Sequence, residues 1–134
     1  MTDTVTRRVR ELDPAAALPL LATVPYGRIA FTLQALPAIR AVPHVLHGGE
    51  VVIRDRGPEL GAAVGQIVAF EAGGLAPGEH VGWSVSVTGK AHRVRDPAWA
   101  EELRDLLPLR PATGSEEFIR IAPTLVSGFT VELR

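Results

Sequence analysis

Residues 27–55, GRIAFTLQALPAIRAVPHVLHGGEVVIRD, carry the clearest structural pattern in the chain. In the first run Ile29, Phe31 and Leu33 alternate with other residues, and this period of two is typical of a half-buried β-strand. Two more β-rich runs follow, each joined to the one before it by a short turn. The stretch therefore predicts a three-stranded meander around which the rest of the fold is organised.

Polar side chains are spaced along these otherwise apolar strands. Arg40 and His44 share one face of the second run, and Arg54 lies in the third. Arg28 stands at the start of the first run. A barrel core needs no arginine at such positions, so the three arginines indicate a ligand site built from strands.

The remaining sequence predicts more strands and a few short helices. Asp13-Pro14 and Asp96-Pro97 each combine a capping side chain with a proline tolerated at the first helical position. The polar residues 1–12 are expected to form a surface segment. Alternating runs predict further strands at residues 66–72, 81–96, 117–122 and 126–133. About seven strands and two or three short helices result, which predicts a mainly β chain, a small antiparallel barrel forming one domain over residues 1–134.

Composition excludes several classes of function. The chain has 134 residues, 46% of them hydrophobic and 22% charged, as in an ordinary globular domain. Its 14 Lys and Arg against 15 Asp and Glu give no basic surplus, so no nucleic-acid partner is expected. It contains no cysteine, which removes disulfides and thiolate chemistry. With no apolar run of membrane-spanning or signal-peptide length, we expect a cytoplasmic protein and no membrane partner.

Familiar catalytic motifs are missing from the sequence. The four histidines lie on different predicted elements without the spacing of a zinc site, so no metal is expected. There is no Gly-x-Ser-x-Gly elbow, GxGxxG fingerprint or P-loop. No catalytic side chain can therefore be assigned from the sequence, and a ligand site formed by the strands remains.

Several segments resemble a known family. The runs Gly27–Phe31, Pro37–His44 and Gly49–Arg54 are similar to the FMN-binding split barrels of the pyridoxamine 5′-phosphate oxidase-like superfamily, in particular its short actinobacterial flavin/deazaflavin oxidoreductases. The likeness continues through residues 66–71, 82–89 and 118–121, which extends it over nearly the whole chain. It implies a split β-barrel and a homodimer, with the ligand crevice at the subunit interface.

The resemblance also implies where a flavin would lie. The strand matching Ala38 to His44 runs along the isoalloxazine in that family, and the strand matching Val52 to Arg54 leads into the phosphate loop. Arg54 and Arg56 are the local cations that could hold the phosphate by bidentate hydrogen bonds. The full set of candidate cofactor-binding residues is Arg28, Pro37, Ala38, Ile39, Arg40, His44, Val52, Arg54, Arg56, Glu59, Leu60 and Trp83.

The chain departs from the family pattern at two phosphate-site positions. Asp55 and Glu59 stand where relatives commonly carry a Ser or Thr and a Lys. Carboxylates beside a phosphate repel it, so the sequence predicts weak FMN binding, a different cofactor such as F420, or a lost site. Two roles stay open for Trp83, a ligand wall or a barrel-core residue, and for His44, a ligand contact or a structural hydrogen bond.

Two functions are compatible with these residues. The first is an FMN- or F420-dependent oxidoreductase that acts on an unknown small organic substrate, in which the ring transfers the hydride and the protein supplies position and electrostatics. The second is a non-enzymatic protein of the same fold that binds a flavin, haem or another small ligand. Strand arginines favour the first function, whereas Asp55 and Glu59 favour the second.

Overall fold

The computed structural model describes residues 7–55, 58–75, 81–107 and 117–133. Its elements are long strands and short helical segments. Together they position the candidate site. In chain order they are β1 (Arg7–Leu12), α1 (Pro14–Ala17) with a following 3₁₀ turn (Leu18–Thr23), β2 (Tyr26–Leu33), β3 (Leu36–His47), β4 (Glu50–Asp55), α2 (Pro58–Gly61), β5 (Ile67–Leu75), β6 (Val81–Arg93), α3 (Pro97–Leu106) and β7 (Glu117–Leu133).

Antiparallel pairing closes the sheet into a ring. The strand order is β1-β7-β4-β3-β2-β5-β6, and an additional pairing of β6 with β7 joins the two sides. β1 adds to the C-terminal half of β7, with Arg7 opposite Leu133 and Leu12 opposite Gly128. Within the described residues the structure therefore has seven antiparallel strands and three short α-helices, so the mainly β split-barrel fold predicted from the sequence is confirmed.

Strand register explains the core. Ile29, Phe70, Val87 and Val126 are successive cross-strand partners of β2, β5, β6 and β7. Because directly opposed residues lie on the same face of a sheet, this row points into the barrel. Three of the four are fully buried, and Val126 packs against the same cluster. The alternation read from the sequence thus places the apolar face of each strand inside the barrel.

A second, smaller cluster lies on the outside of the ring. Helix α3 covers the outer face of β4 and β7 there, where Leu103 and Leu107 bury Val52 and Phe118. Asp96 accepts a hydrogen bond from the Ala98 N–H at 2.9 Å and so caps the helix as predicted. The outer face is therefore sealed along the length of α3.

One strand was not predicted from the sequence, and one predicted strand boundary is wrong. Residues 7–12 form strand β1, which the polar sequence did not indicate because its partner β7 lies far away in the chain. Pro123-Thr124 does not separate two strands, because β7 continues from residue 117 to 133. The register shifts between Thr88 and Gly89, and Pro123 pairs at this bulge, where a missing N–H donor is tolerated.

The turns of the meander differ in chemistry. Gly48 and Gly49 connect β3 to β4 with φ of 60° and 77°, which glycine adopts freely. Gln34 and Ala35 connect β2 to β3 with φ of 51° and 66°, although both carry a Cβ. A left-handed conformation costs such residues about 1–2 kcal/mol each. The first hairpin turn is therefore strained relative to the second.

Relieving this strain is expected to stabilise the protein. Replacing Gln34 by Asn together with Ala35 by Gly should raise the free energy of unfolding by about 1–2 kcal/mol, because Asn-Gly is the preferred pair for this turn. Urea denaturation measures the change. As a control, Ala16→Gly in the exposed face of α1 should lower it by about 0.5–1 kcal/mol. A loss of stability in the turn variant would contradict the strain argument.

Candidate flavin-binding site

Arg54 is the most unusual side chain in the structure. It lies on β4 directly opposite Phe118 of β7, and only 3% of its surface is exposed. Its guanidinium carbon lies 5.3 Å from the centre of the Phe118 ring, a cation–π geometry. Its Nε and Nη1 are buried and have no hydrogen-bond partner among the residues that the structure describes.

A buried guanidinium whose Nε and Nη1 have no oxygen partner among the described residues is costly. Burying a charged group is normally compensated by a counter-charge or several hydrogen bonds, and Phe118 supplies only its ring face. Guanidinium N–H groups are good donors to the oxygens of a phosphate or carboxylate, and the Nε–H and Nη1–H of Arg54 are each available to one such oxygen. Arg54 therefore fits an anionic group of a ligand better than it fits a packed interior.

Arg40 and Glu59 form an ion pair between β3 and α2. Arg40 Nε and Nη2 each lie 2.8 Å from Glu59 Oε2, and Nη1 donates to the Ile39 carbonyl at 2.9 Å. Arg40 is the register partner of Ile29, so it lies on the inner face, at the end of the barrel. The Glu59 carboxylate, which the sequence predicts to lie beside a phosphate, is therefore already paired with a cation.

Arg28 is paired on the outer face of the sheet. Its Nη1 lies 3.2 Å from Glu71 Oε2, and Ser84 donates to the other carboxylate oxygen of Glu71 at 3.3 Å. Both ends of the ion pair remain substantially exposed. Exposed pairs of this kind contribute about 0–1 kcal/mol. Arg28 therefore lies on the opposite face of the sheet from Arg40 and, unlike the buried Arg54, is exposed and paired.

His44 is buried inside the barrel. Its Nε2 donates to the Leu21 carbonyl at 2.7 Å, and its ring lies 4.8 Å from that of Phe70, centre to centre. Because a carbonyl only accepts, the neutral ring carries its proton on Nε2. Burial lowers the pKa of His44 below its ordinary value of 6.5, although the Leu21 hydrogen bond opposes the shift. The structural hydrogen bond, one of the two roles left open, is present.

The lowered pKa of His44 makes stability depend on pH. The unfolded ring takes up a proton near pH 6.5 while the folded ring resists it, so the free energy of unfolding should fall as the pH drops below 6.5. The slope is at most about 1.4 kcal/mol per pH unit. His44→Gln keeps an N–H donor for Leu21 but does not titrate, and its slope in urea denaturation between pH 5 and 7.5 should be smaller. Equal slopes would contradict this assignment.

The other candidate residues are dispersed. Ala38, Leu60 and Trp83 pack with the main core, so Trp83 is a barrel residue in this structure. Val52 is fully buried under α3. The exposed ones are Pro37 and Ile39. Arg56 lies outside the described residues. Of the twelve candidates, the structure joins Arg40 with Glu59 directly and places Val52 and Arg54 on the same outer face of β4.

An apolar cavity of about 680 Å³ opens between the 3₁₀ turn, β3 and the end of α3. Among the residues that the structure describes, no Lys, Arg, Asp or Glu lines it. Two of its wall residues, Val45 and Leu107, belong to the same outer cluster as Phe118, on which Arg54 rests. The lining residues are Ala22 to Tyr26, Pro43 to Leu46, Leu106 and Leu107. Its volume lies in the usual range for small-molecule sites.

Sequence reasoning missed the partners of the site residues. Phe118 beneath Arg54, Leu21 beside His44 and Leu107 in the cavity wall all come from distant parts of the chain. The one sequence signal for these partners was Phe118, an aromatic residue near the start of the last strand. Its role depends on the pairing of β4 with β7, which no local pattern reveals.

Other kinds of site find little support in the part of the chain that the structure describes. There, no group of three or more His, Cys, Asp or Glu residues lies close enough together to hold a metal ion. Across the same residues, none of the helices has the length and apolar character needed to cross a membrane.

Comparison with known proteins gives concordant results. An uncharacterised protein of Mycobacterium tuberculosis is 39% identical over 132 residues, covering 93% of this chain and 87% of that protein. The FAD-binding protein of Mycobacterium smegmatis is 28% identical, with a TM-score of 0.71 over 92% of this chain and 98% of that one. A conserved protein of unknown function from Corynebacterium diphtheriae is also 28% identical, with a TM-score of 0.72 over 90% and 96% of the two chains.

The family assignment rests on a match over most of the chain and not on a single motif. The pyridoxamine 5′-phosphate oxidase family model matches residues 13–130, from the cap of α1 to near the end of β7. The resemblance drawn from the strand sequences is thereby confirmed. Because this match spans most of its residues, the chain belongs to the pyridoxamine 5′-phosphate oxidase family.

Proposed function

We propose that this protein binds a flavin, with the flavin phosphate held by Arg54. The observation that carries the proposal is the buried guanidinium whose Nε and Nη1 lack a partner among the described residues. The relative in M. smegmatis is an FAD-binding protein, which supports a flavin as the ligand. Arg54 would supply charge-assisted hydrogen bonds to phosphate oxygens.

FMN is the form of flavin that we favour. Only one arginine among the described site residues is buried and without an ionic partner, because Arg40 and Arg28 pair with Glu59 and Glu71. A single monophosphate matches a single such cation. F420 remains the alternative. The resemblance implies that Glu59 lies beside the phosphate, so the FMN affinity should be modest, in the micromolar range.

The proposed activity is that of an oxidoreductase for a small, uncharged organic substrate. A bound flavin supplies hydride transfer, so the protein needs to position the two partners and exclude water. The cavity beside the outer cluster offers apolar walls, Val45 and Leu107 among them, and its described lining has no Lys, Arg, Asp or Glu. Apolar walls of this kind favour a substrate without phosphate or carboxylate groups.

A homodimer would complete the site, and the outer face of the ring supports it. Ile39, Ala30, Ala69, Thr88 and Leu125 are successive cross-strand partners on that face. Ile39 and Leu125 are 62% and 65% exposed, which is high for large apolar residues in the middle of a sheet. A second copy packed on this row would bury them.

The dimer can be tested separately from flavin binding. Sedimentation at micromolar concentration should give a dimer, and Ile39→Asp should shift it toward a monomer because the new carboxylate would be buried in the interface. The circular dichroism spectrum of this variant should stay unchanged, since the residue is exposed within one chain. A monomeric wild-type protein would overturn the dimer.

A non-enzymatic ligand-binding role is the second candidate. The observation that favours it is the Arg40–Glu59 pair, which neutralises one of the cations that the sequence offered to the cofactor. On this alternative the flavin, haem or other small ligand binds without turnover. Both functions share the Arg54 site, so they differ only in whether a bound ligand reacts.

The visible spectrum of the purified protein, followed by titration with FMN and with F420, tests the proposal. Micromolar FMN binding that quenches flavin fluorescence is the expected result, with weaker binding of riboflavin, which lacks the phosphate. Anaerobic reduction followed by addition of uncharged quinones or nitroaromatics would then separate an enzyme from a binding protein. Failure to bind either cofactor would overturn the proposal, and nanomolar FMN binding would contradict the role assigned to Glu59.

A further inference from the structure

A second cavity, of about 650 Å³, lies at the start of α3. It opens between the end of β6, the beginning of β4 and the start of β7, with Trp99 as one wall. The apolar cavity described above lies at the other end of α3, at Leu106 and Leu107. At 1.5 Å per residue the 10 residues of α3 separate the two cavities by about 15 Å. This second cavity is named the α3-start cavity below.

The α3-start cavity concentrates positive charge. Its lining contains four Lys or Arg residues against two acids, in a chain whose net charge is −1. The cations are Lys90, Arg93, Arg95 and Arg120, and the acids are Glu50 and Asp96. Four of the fourteen basic residues of the chain thus meet at one cavity. A local excess of one sign in a concave site attracts ions of the opposite sign.

Both acids of the cavity are already engaged. Glu50 Oε1 lies 2.8 Å from Arg120 Nη1, and both side chains are largely shielded from solvent. The carboxylate of Asp96 accepts from the Ala98 N–H at the start of α3. The side chains of Lys90 and Arg95 are exposed and form neither an ion pair nor a hydrogen bond in the described part of the structure. The uncommitted charge of the cavity is therefore positive.

Apolar surface accompanies this charge. Trp99, Val94 and Ala91 line the same cavity, and the Trp99 ring is held edge-on against His47 with the ring centres 4.3 Å apart. A fixed indole beside mobile cations suits a molecule with a small apolar or planar body and an anionic group. Inorganic ions would use the cations alone.

We propose that the α3-start cavity is a second ligand site, which takes a small organic anion. Lys90 and Arg95 bind its carboxylate or phosphate, and Trp99 packs on its body. None of its lining residues lines the apolar cavity and Arg54 is not among them, so the two ligands would have separate contacts, although Val94 and Trp99 also pack in the outer cluster with Phe118. The Asp96 side chain already occupies the first turn of α3, so the lysine and arginine provide the anion contacts.

Calorimetry and NMR with three probes test this site. Benzoate, phenyl phosphate and, for comparison, inorganic phosphate are titrated into the full-length protein, and the indole N–H signal of Trp99 is followed, with Trp83→Phe used for assignment. Saturable binding with a shift of the Trp99 signal is expected. Lys90→Glu and Arg95→Glu should each weaken it about fivefold or more, because each turns an attraction into a repulsion.

The control variant is Arg10→Glu, which changes the net charge by the same amount. Arg10 pairs with Thr130, ten residues along β7 from Arg120, or about 30 Å of strand. Since charges farther apart than about 8 Å are largely screened at physiological salt, it should change the affinity less than twofold. Arg54→Met should also leave the probe affinity unchanged.

Four results would overturn the α3-start site. They are no saturable binding of any probe, an unmoved Trp99 signal, an equal loss in Arg10→Glu, or a loss of probe binding in Arg54→Met. The last result would place the anions at Arg54 instead and would leave the proposed flavin site intact. Failure of FMN to bind would overturn the proposed flavin function but would leave the proposal of the α3-start site unaffected.

Discussion

Replacing Arg54 by methionine is expected to weaken FMN binding about a hundredfold and to stabilise the ligand-free protein. Two charge-assisted hydrogen bonds to a phosphate are worth roughly 1.5–3 kcal/mol each when ligand and cation are desolvated, and 2.8 kcal/mol already corresponds to a hundredfold change. Methionine keeps the packing on Phe118 but removes a buried charge that lacks an oxygen partner among the described residues. Such replacements are often stabilising by about 1–4 kcal/mol.

Fluorescence titration and urea denaturation of the ligand-free protein measure the two effects of Arg54→Met. Riboflavin should bind the variant about as well as it binds the wild type, since it has no phosphate. The matched control is Arg120→Met, which removes an arginine from the adjacent strand that does have a partner, Glu50 at 2.8 Å. That variant should be less stable than the wild type and should bind FMN normally.

The opposite result for either the stability or the FMN affinity of Arg54→Met would contradict part of this interpretation. A less stable Arg54→Met protein would show that the guanidinium has a partner inside the folded chain. Unchanged FMN affinity would show that the FMN phosphate does not bind at Arg54 on β4. The expected pattern, a gain of stability with a loss of binding, is that of a residue kept for its ligand at the expense of the fold.

The fold could be predicted from the sequence wherever local alternation decides it. Ile29, Phe31 and Leu33 alternate because β2 buries one face, and the structure buries or packs all three in the core. Prediction failed where tertiary pairing overrides a local signal. Strand β1 is polar on its own and forms because β7 offers it an edge, while Pro123 is accommodated beside a bulge in β7, where Thr124 is the extra residue.

The candidate site could be predicted only as a set of charges. The sequence indicated correctly that Arg40 and His44 share a face and that Arg54 is unusual, because alternation fixes the direction of each side chain. It could not show that Glu59 would reach Arg40, nor that Leu21 would accept the proton of His44. Those contacts join elements brought together by barrel closure, and no local period encodes them.

Charge reversal at Glu59 is expected to tighten FMN binding about tenfold or more. Glu59 lies in the first turn of α2 and pairs with Arg40 at 2.8 Å. Glu59→Lys replaces a repulsion toward the phosphate with an attraction and frees Arg40 from its partner. A charge-assisted contact that is partly desolvated is worth roughly 1–3 kcal/mol, and 1.4 kcal/mol is a factor of ten. Glu59→Gln removes the repulsion without adding a cation, so it should give a smaller gain.

The Glu59 substitutions should lower the free energy of unfolding only slightly. Both side chains of the Arg40–Glu59 pair are about half exposed, and such pairs contribute about 0–1 kcal/mol. Glu50→Gln is the matched control, because it also frees an arginine, Arg120, but lies at the opposite end of β4 from Arg54. FMN affinity should not change in this control, and riboflavin affinity should change little in any variant.

The pattern of gains decides what Glu59 does. A gain for FMN alone places the residue within reach of the phosphate and gives Arg40 a role once it is released. Equal gains for FMN and riboflavin would point to an effect on the fold. No gain for either would show that Glu59 serves only to hold α2 against β3, and the weak phosphate site would then have to be attributed to Asp55. Fluorescence titration of the three variants with both ligands distinguishes these results.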